Sequence, residues 1–295
     1  MGMWGYAGRQ AGRFVLGIAG AFLLAAAVAA LSDPGARSGV SHYLRAFFGR
    51  IDQVAHLTFG SSAMTSAPAV AEIARGLPIT FELIGAGLIM ALVVGIPVGL
   101  LFGIWRLFRP VAPLIQIVTA IPVFCAAMLA LWLAHYFGMK TSTLSNAGFL
   151  AAGPQGLVPA LRAIALPALI TGASAAAAIQ LSLQRTVAEA IAEPFYENMK
   201  RMGLSVFEID RAYLAPYVLI GFFHGLADIA LSLFAADAVV EWMFDWPGAA
   251  TLFIRSVALH DWNVAALVLL VFASVVLAAD FAGRLGARAI AGAAS

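Results

Sequence analysis

The chain has 295 residues, 62% hydrophobic and only 11% charged, with a mean hydropathy of +0.94 and a net charge of +2. A soluble surface needs roughly a quarter to a third charged side chains, so a soluble globular domain is excluded and an integral membrane protein is indicated. The small net charge offers nothing to nucleic acid. Cys125, the one cysteine, excludes a disulfide framework or a cysteine metal site and reads as a small buried hydrophobe.

A helical span needs roughly 20 apolar residues. Six segments qualify: Phe14 to Leu31, Ile79 to Trp105, Val111 to Phe137, Ala163 to Leu183, Leu214 to Val240, and Asn263 to Gly283. The expectation is an all-α membrane protein of about six transmembrane helices. With both termini inside, Arg9, Arg13, Arg106, Arg109, Arg185, Lys200, Arg201, Arg211, Arg284 and Arg288 lie on the inner side, ten of the 17 basic residues. The positive-inside rule therefore places both termini in the cytoplasm. The first span also fits a signal peptide, with a basic start, an apolar core and small residues at Ala27 and Ala29; its removal would leave five spans and an external N-terminus.

Three loops face outward in this arrangement. In the first, residues 32–78, Leu44, Phe47, Phe48, Ile51, Val54 and Ala55 recur at helical spacing with Arg45, Arg50 and Asp52 between them, the pattern of an amphipathic helix at the interface. The second, Gly138 to Arg162, is rich in Gly, Ser, Thr and Asn and reads as irregular. The third, Glu241 to Trp262, holds Trp242, Trp246 and Trp262, whose indoles suit the headgroup region. His260-Asp261 in this loop reads as a turn.

Between the fourth and fifth spans lies a polar island, residues 185–211, with nine charged residues. Glu193-Pro194 is a helix start, since proline is tolerated at the first helical position and an acid suits the positive end of the helix dipole. Phe195, Met199 and Met202 then share an apolar face, with Glu197, Lys200 and Arg201 elsewhere. Gly203 is placed as a left-handed C-terminal cap, and Ser205 to Glu208 has capping-box spacing for a second helix leading to Pro216. An apolar face held out in water marks a partner surface or folds back onto the bundle or lipid.

Inside the fifth span, His224 and Asp228 are spaced i, i+4, with Asp237 beyond. Acids at bilayer depth cost about 2.5–3.5 kcal/mol on insertion scales, so they face a cavity or a partner. Either they line a translocation path, Asp228 meeting a cationic part of the solute, or His224 and Asp228 bond to each other inside the bundle and Asp237 sits near the interface. Glu82 reads as structural, near the outer end of the second span. His42, His56, His135 and His260 lack metal-ligand spacing, and no metal site is expected.

The island resembles the cytoplasmic loop of ABC importer permeases, with Glu197 and Gly203 at the acid and glycine positions of its motif and Asn198 and Met199 in place of the small pair. Pro68 to Ile73 leading into Leu77 to Leu83 is similar to the entry of the second span in the dipeptide, oligopeptide and nickel permeases. Gly95-Ile96-Pro97-Val98-Gly99, Ile121 to Phe124 and Ala165 to Leu169 are similar to later parts of that family. Val239-Val240-Glu241-Trp242-Met243-Phe244-Asp245-Trp246-Pro247-Gly248 resembles its outer-loop motif, with Glu241, Phe244, Trp246, Pro247 and Gly248 as key positions. The resemblance covers nearly the whole chain, most weakly the first 35 residues.

It implies a type I ABC importer permease fold, one transmembrane permease domain over residues 1–295, with a first span at 14–31, an external loop at 32–78, core spans within 79–283 and a coupling loop at 185–211. It also implies a transport subunit of the bacterial inner membrane, with a second permease subunit, two ATPase subunits, an external solute-binding protein and membrane lipid as partners. In the coupling loop it points to Glu193, Phe195, Glu197, Met199, Lys200, Arg201, Gly203, Ser205 and Glu208. The chain has no Gly-x-x-x-x-Gly-Lys-Ser/Thr phosphate loop, so ATP would be hydrolysed by the partners and no cofactor or catalytic residue is expected here. The alternative is a self-sufficient proton-coupled transporter using His224, Asp228 and Asp237.

Overall fold

The computed structural model describes residues 3–105, 121–138 and 153–293. Among these, the regular elements are helices: α1 (Met3–Ala30), α2 (Val40–Ala55), α3 (Ala69–Ile104), α4 (Val123–Tyr136), α5 (Gly153–Ala192), α6 (Pro194–Arg201), α7 (Val206–Ile209), α8 (Ala215–His224), α9 (Leu226–Met243), α10 (Ala249–Ala258) and α11 (Trp262–Ala293). Four of them, α1, α3, α5 and α11, are long and apolar enough to cross a membrane, and the segment from α7 to α9 is so as well when taken as one span bent by 48°. The chain is thus an all-α membrane protein. The expected third span lies partly outside the described residues, which show only the 14-residue α4.

Packing is set by small residues. On α3, Gly87, Ala91, Gly95, Gly99 and Gly103 recur every four residues and form a flat stripe against α5. A Cβ at Gly95 would meet the Ala176 carbonyl oxygen at 2.8 Å, and one at Gly99 the Gln180 carbonyl oxygen at 2.9 Å. Lipid tails are as apolar as leucine, so helices in a bilayer associate through such backbone approach rather than by hiding apolar side chains from water. α1 lies on α11 in the same way and shares a core with α2, α3 and α10, through Ala25, Ala29, Val54, Ile73, Ala249 and Val268.

Several expectations change. α5 runs ten residues before the expected fourth span and continues to Ala192, so Gly153 to Arg162 is helical rather than irregular and the island's first eight residues extend a span. Residues 139–152 of that expected loop lie outside the described part. The amphipathic helix is present as α2, with Phe47, Ile51 and Val54 turned to the core and Leu44 and Phe48 exposed. Of the three tryptophans expected at the headgroups, Trp242 is exposed but Trp246 is in the core, because the turn at Asp245 (φ +52°) folds it back under α9. Cys125 is exposed on α4 rather than buried.

Candidate functional site

The island and its supports form a compact tip at one end of the bundle. Pro194 occupies the first turn of α6 as expected, but the Glu193 side chain makes no capping bond. Gly203 has φ +87°, a left-handed position where a side chain would be strained, and it turns the chain out of α6. Ser205 then starts α7 with the full capping box: its hydroxyl accepts from the Glu208 N–H at 3.3 Å, while the Glu208 carboxylate accepts from the Ser205 N–H at 2.8 Å. The Ser205 hydroxyl also donates to that carboxylate at 2.7 Å, and this bond, then the one from the Ser205 N–H, holds the Glu208 carboxyl below its ordinary range.

The face that anchors α6 is not the expected one. Tyr196 is buried, and its hydroxyl donates to Asp210 at 2.8 Å. Burial, then that bond, then the charges of Asp210 and Glu197 push the phenol up to about 12. Lys200 caps the other side of the ring, 4.7 Å from its centroid, and reaches Glu197 at 3.5 Å. Phe195 stacks obliquely on Tyr213, centroids 5.2 Å apart, and Tyr213 lies 6.2 Å from Tyr217. An aromatic ladder thus runs from α6 into α8. Met199 is half-buried, while Met202 and Phe195 stay exposed.

Where the ladder meets the bundle the helix widens to a π-turn, Asp210–Leu214. Pro216 gives the reason: it lacks an N–H, and its ring would collide with the carbonyl four residues earlier in a regular helix. Phe207 (74% exposed), Met202 (79%), Val206 and Leu204 therefore form an apolar surface on a hairpin whose turns are fixed by a cap, a glycine and a hydrogen bond. Exposed apolar surface on a rigid support marks a binding face.

The fifth crossing breaks at Gly225, so His224 and Asp228 sit on either side of the bend rather than on one straight helix. Both are exposed on this chain. Asp228 borders a cavity of about 100 Å³ with Ser182, Leu183, Phe222 and Gly225. Asp237, nine residues further, lies about half a turn around the helix. It is fully buried, and neither of its oxygens meets a hydrogen-bond donor. The three groups expected to act together are therefore split between an outer and an inner face.

At the opposite end the Glu241 motif builds a clamp. Glu241 is fully buried; its carboxylate accepts from the Thr80 hydroxyl and from the Thr251 N–H at 2.8 Å, which caps α10. Thr80 in turn accepts from the Ala249 N–H at 2.8 Å. A Cβ at Gly248 would run into the Glu241 carboxylate, and Phe244 and Trp246 fill the core alongside, while Pro247 is exposed. These residues are structural, tying α3, α9 and α10 together. A second clamp was not visible in the sequence: buried Asp261 accepts from the Ser62 hydroxyl and the Ala63 N–H. Its neighbour His260 does occupy a turn, at φ +61°. Among the described residues no cluster of three or more His, Cys, Asp or Glu could hold a metal.

No family model matches the chain. It is 27% identical over 202 residues to a putative peptide permease of Brucella ovis, covering 65% of this chain and 60% of the relative. It is 23% identical over 220 residues to a glutathione transport system permease of Shigella flexneri, covering 72% and 67% of the two chains. A probable D,D-dipeptide transport system permease of Escherichia coli is 23% identical over 237 residues, covering 73% and 69%. The chain thus spans about 60% of the length of the Brucella relative. Its sequence is thus similar to permease proteins of peptide, glutathione and dipeptide transport systems.

Proposed function

We propose that the chain is the transmembrane permease subunit of an ATP-driven importer for peptides or a related small solute. The tip from α6 to α7 docks into a separate ATPase subunit, and both chain termini share its cytoplasmic side. A second permease subunit completes the path and an external binding protein delivers the solute. The observation that carries this reading is the tip itself, an apolar surface of Met202, Val206 and Phe207 on a hairpin rigidly joined to a membrane-crossing helix. A rigid link of that kind passes a displacement from partner to bundle. ATP can drive the cycle only by binding one conformation of the assembly better than the other.

Asp228 and His224 belong to the exposed face of the bent crossing, and we assign them to the wall of the path shared with the second permease. An exposed acid on a crossing helix calls for a polar or cationic partner. Asp237, buried on the other face, does not join them, and that separation counts against a proton relay through the three groups. The test is uptake into membrane vesicles carrying the co-expressed system. Vanadate should stop it and a protonophore should not, and Phe207→Glu should release the ATPase subunits on purification. Uptake that resists vanadate and collapses with the protonophore would replace this reading with a proton-driven one.

A further inference from the structure

Helices α1 and α11 run antiparallel in one register, since the rings of Phe14 and Phe281 are 5.1 Å apart and a Cβ at Gly17 would meet Leu277 Cδ2 at 2.7 Å. Thirteen residues on from the Gly17–Leu277 contact, Ala30 of α1 stands level with Val264 of α11, and both are fully buried. From Val264 to Arg284 α11 rises about 30 Å, the thickness of a hydrocarbon core. The Asp280–Arg284 ion pair, bonded at 2.8 Å, marks one edge of that core, and the level of Ala30 and Val264 marks the other.

α2 is held at this second edge along its length. The Tyr43 hydroxyl donates to the Ala27 carbonyl at 2.9 Å, about one turn inside the edge. Phe47, Ile51 and Val54 pack into the cluster that contains Ala25, Ala29, Val264 and Val268. Arg50 reaches the Ser32 hydroxyl at 3.3 Å, and that hydroxyl donates to Asn263 at 2.9 Å. Just beyond the helix the Asn263 amide donates to the Ser61 carbonyl at 3.1 Å. All these partners lie between Ala25 and Ser32 on α1 and between Asn263 and Val268 on α11, within about 8 Å of the edge.

At about 3.6 residues per turn Val40, Leu44 and Phe48 fall on one stripe of α2, and all three are exposed, at 76%, 45% and 66%. The opposite face carries His42, Gly49 and Gln53, which line a cleft of about 400 Å³ with Asp33 and Gly35. On the adjoining crossing, Leu23 and Leu24 of α1 are exposed about 10 Å inside the edge, so apolar surface meets the surroundings at this depth on both helices. We propose that α2 is an interfacial helix whose Val40–Leu44–Phe48 stripe dips into the acyl region of one leaflet while the face of His42, Gly49 and Gln53 stays among headgroups and water. Helices of this kind bury their apolar face about 5–10 Å into the boundary between headgroups and acyl chains, which matches the level of Ala25 and Ala27. The assignment requires only that α1 and α11 span a bilayer, so its failure would leave the transport reading untouched.

The experiment is spin-label accessibility in the full chain, reconstituted into phospholipid liposomes with its partner subunits where they co-purify. A Cys125→Ser background removes the one native cysteine. Single nitroxides are then attached through Val40→Cys, Leu44→Cys and Phe48→Cys on the stripe, and through His42→Cys, Gly49→Cys and Gln53→Cys on the opposite face, where a Cβ at Gly49 meets open space. Oxygen concentrates among acyl chains and a nickel chelate stays in water. The ratio of oxygen to nickel collisions should be several-fold higher at each stripe position than at each position of the opposite face. Three labels per face keep the result from resting on one variant that misfolds. Equal ratios on the two faces would put the stripe in water and overturn the proposal. Loss of both collision signals at the stripe would also overturn it, giving that face to a protein partner.

Discussion

Tyr196→Phe probes the joint between the tip and the bundle with a single atom. The ring is buried and stays packed, so the variant loses only the bond to Asp210. A hydrogen bond to a charged group contributes about 1.5–3 kcal/mol, and Asp210 is half-buried and can recover water, which favours the lower end. A loss of about 1.5 kcal/mol raises the detached population of α6 roughly tenfold. Amide hydrogen exchange across residues 194–201 should accelerate by about that factor while exchange in α3 and α5 is unchanged. If the tip carries the ATPase stroke, uptake per ATP hydrolysed should also fall. Unaltered exchange in the variant would refute the assignment of Asp210 as the anchor.

The same bond sets a pH limit. Because the folded phenol is raised above its ordinary value of 10 to about 12, the bond's contribution is complete below pH 10 and disappears as pH climbs through 12. Protection of residues 194–201, corrected for the base-catalysed intrinsic exchange rate, should fall in that window in wild type but not in Tyr196→Phe. Thr80→Val removes both the donor to Glu241 and the acceptor for the Ala249 N–H, leaving buried groups unpaired, and should cost about 2–4 kcal/mol in detergent melts. Gly203→Val forces a β-branched residue into φ +87° and should cost about 1–3 kcal/mol of local order, read as weaker ATPase co-purification with an unchanged melting temperature of the bundle. Asp228→Asn should change the rate or the charge preference of uptake, and uptake identical to wild type would remove it from the path wall.

The tip was legible because its signals are local. Pro194, Gly203 and the Ser205–Glu208 pair each act within four residues, through dihedral preference and capping, and all three appear where their chemistry requires. Its anchor was not legible. Nothing in sequence pairs Tyr196 with Asp210 across a glycine turn, so Phe195, Met199 and Met202 read as the apolar face while the residue that packs is the tyrosine between them. The four-residue run of small side chains on α3 was present in the sequence, yet which helix it would meet depends on the whole bundle.

Composition and span length alone determined that this chain is a helical membrane protein, because continuous apolar runs of about 20 residues satisfy their backbone groups in a bilayer as helices, whereas a closed barrel is built from short alternating strands. Only the tertiary structure decided how the charges divide. Glu241, read as part of an outer-loop motif, is a buried cap because α3 brings Thr80 to it and α10 presents the Thr251 N–H. Asp237 stands about half a turn from Asp228 on any helix, but only the surrounding helices decide that its side is buried while His224 and Asp228 are exposed. A helix's own sequence sets which residues share a face, but which face meets protein and which meets lipid or partner is set by the helices around it.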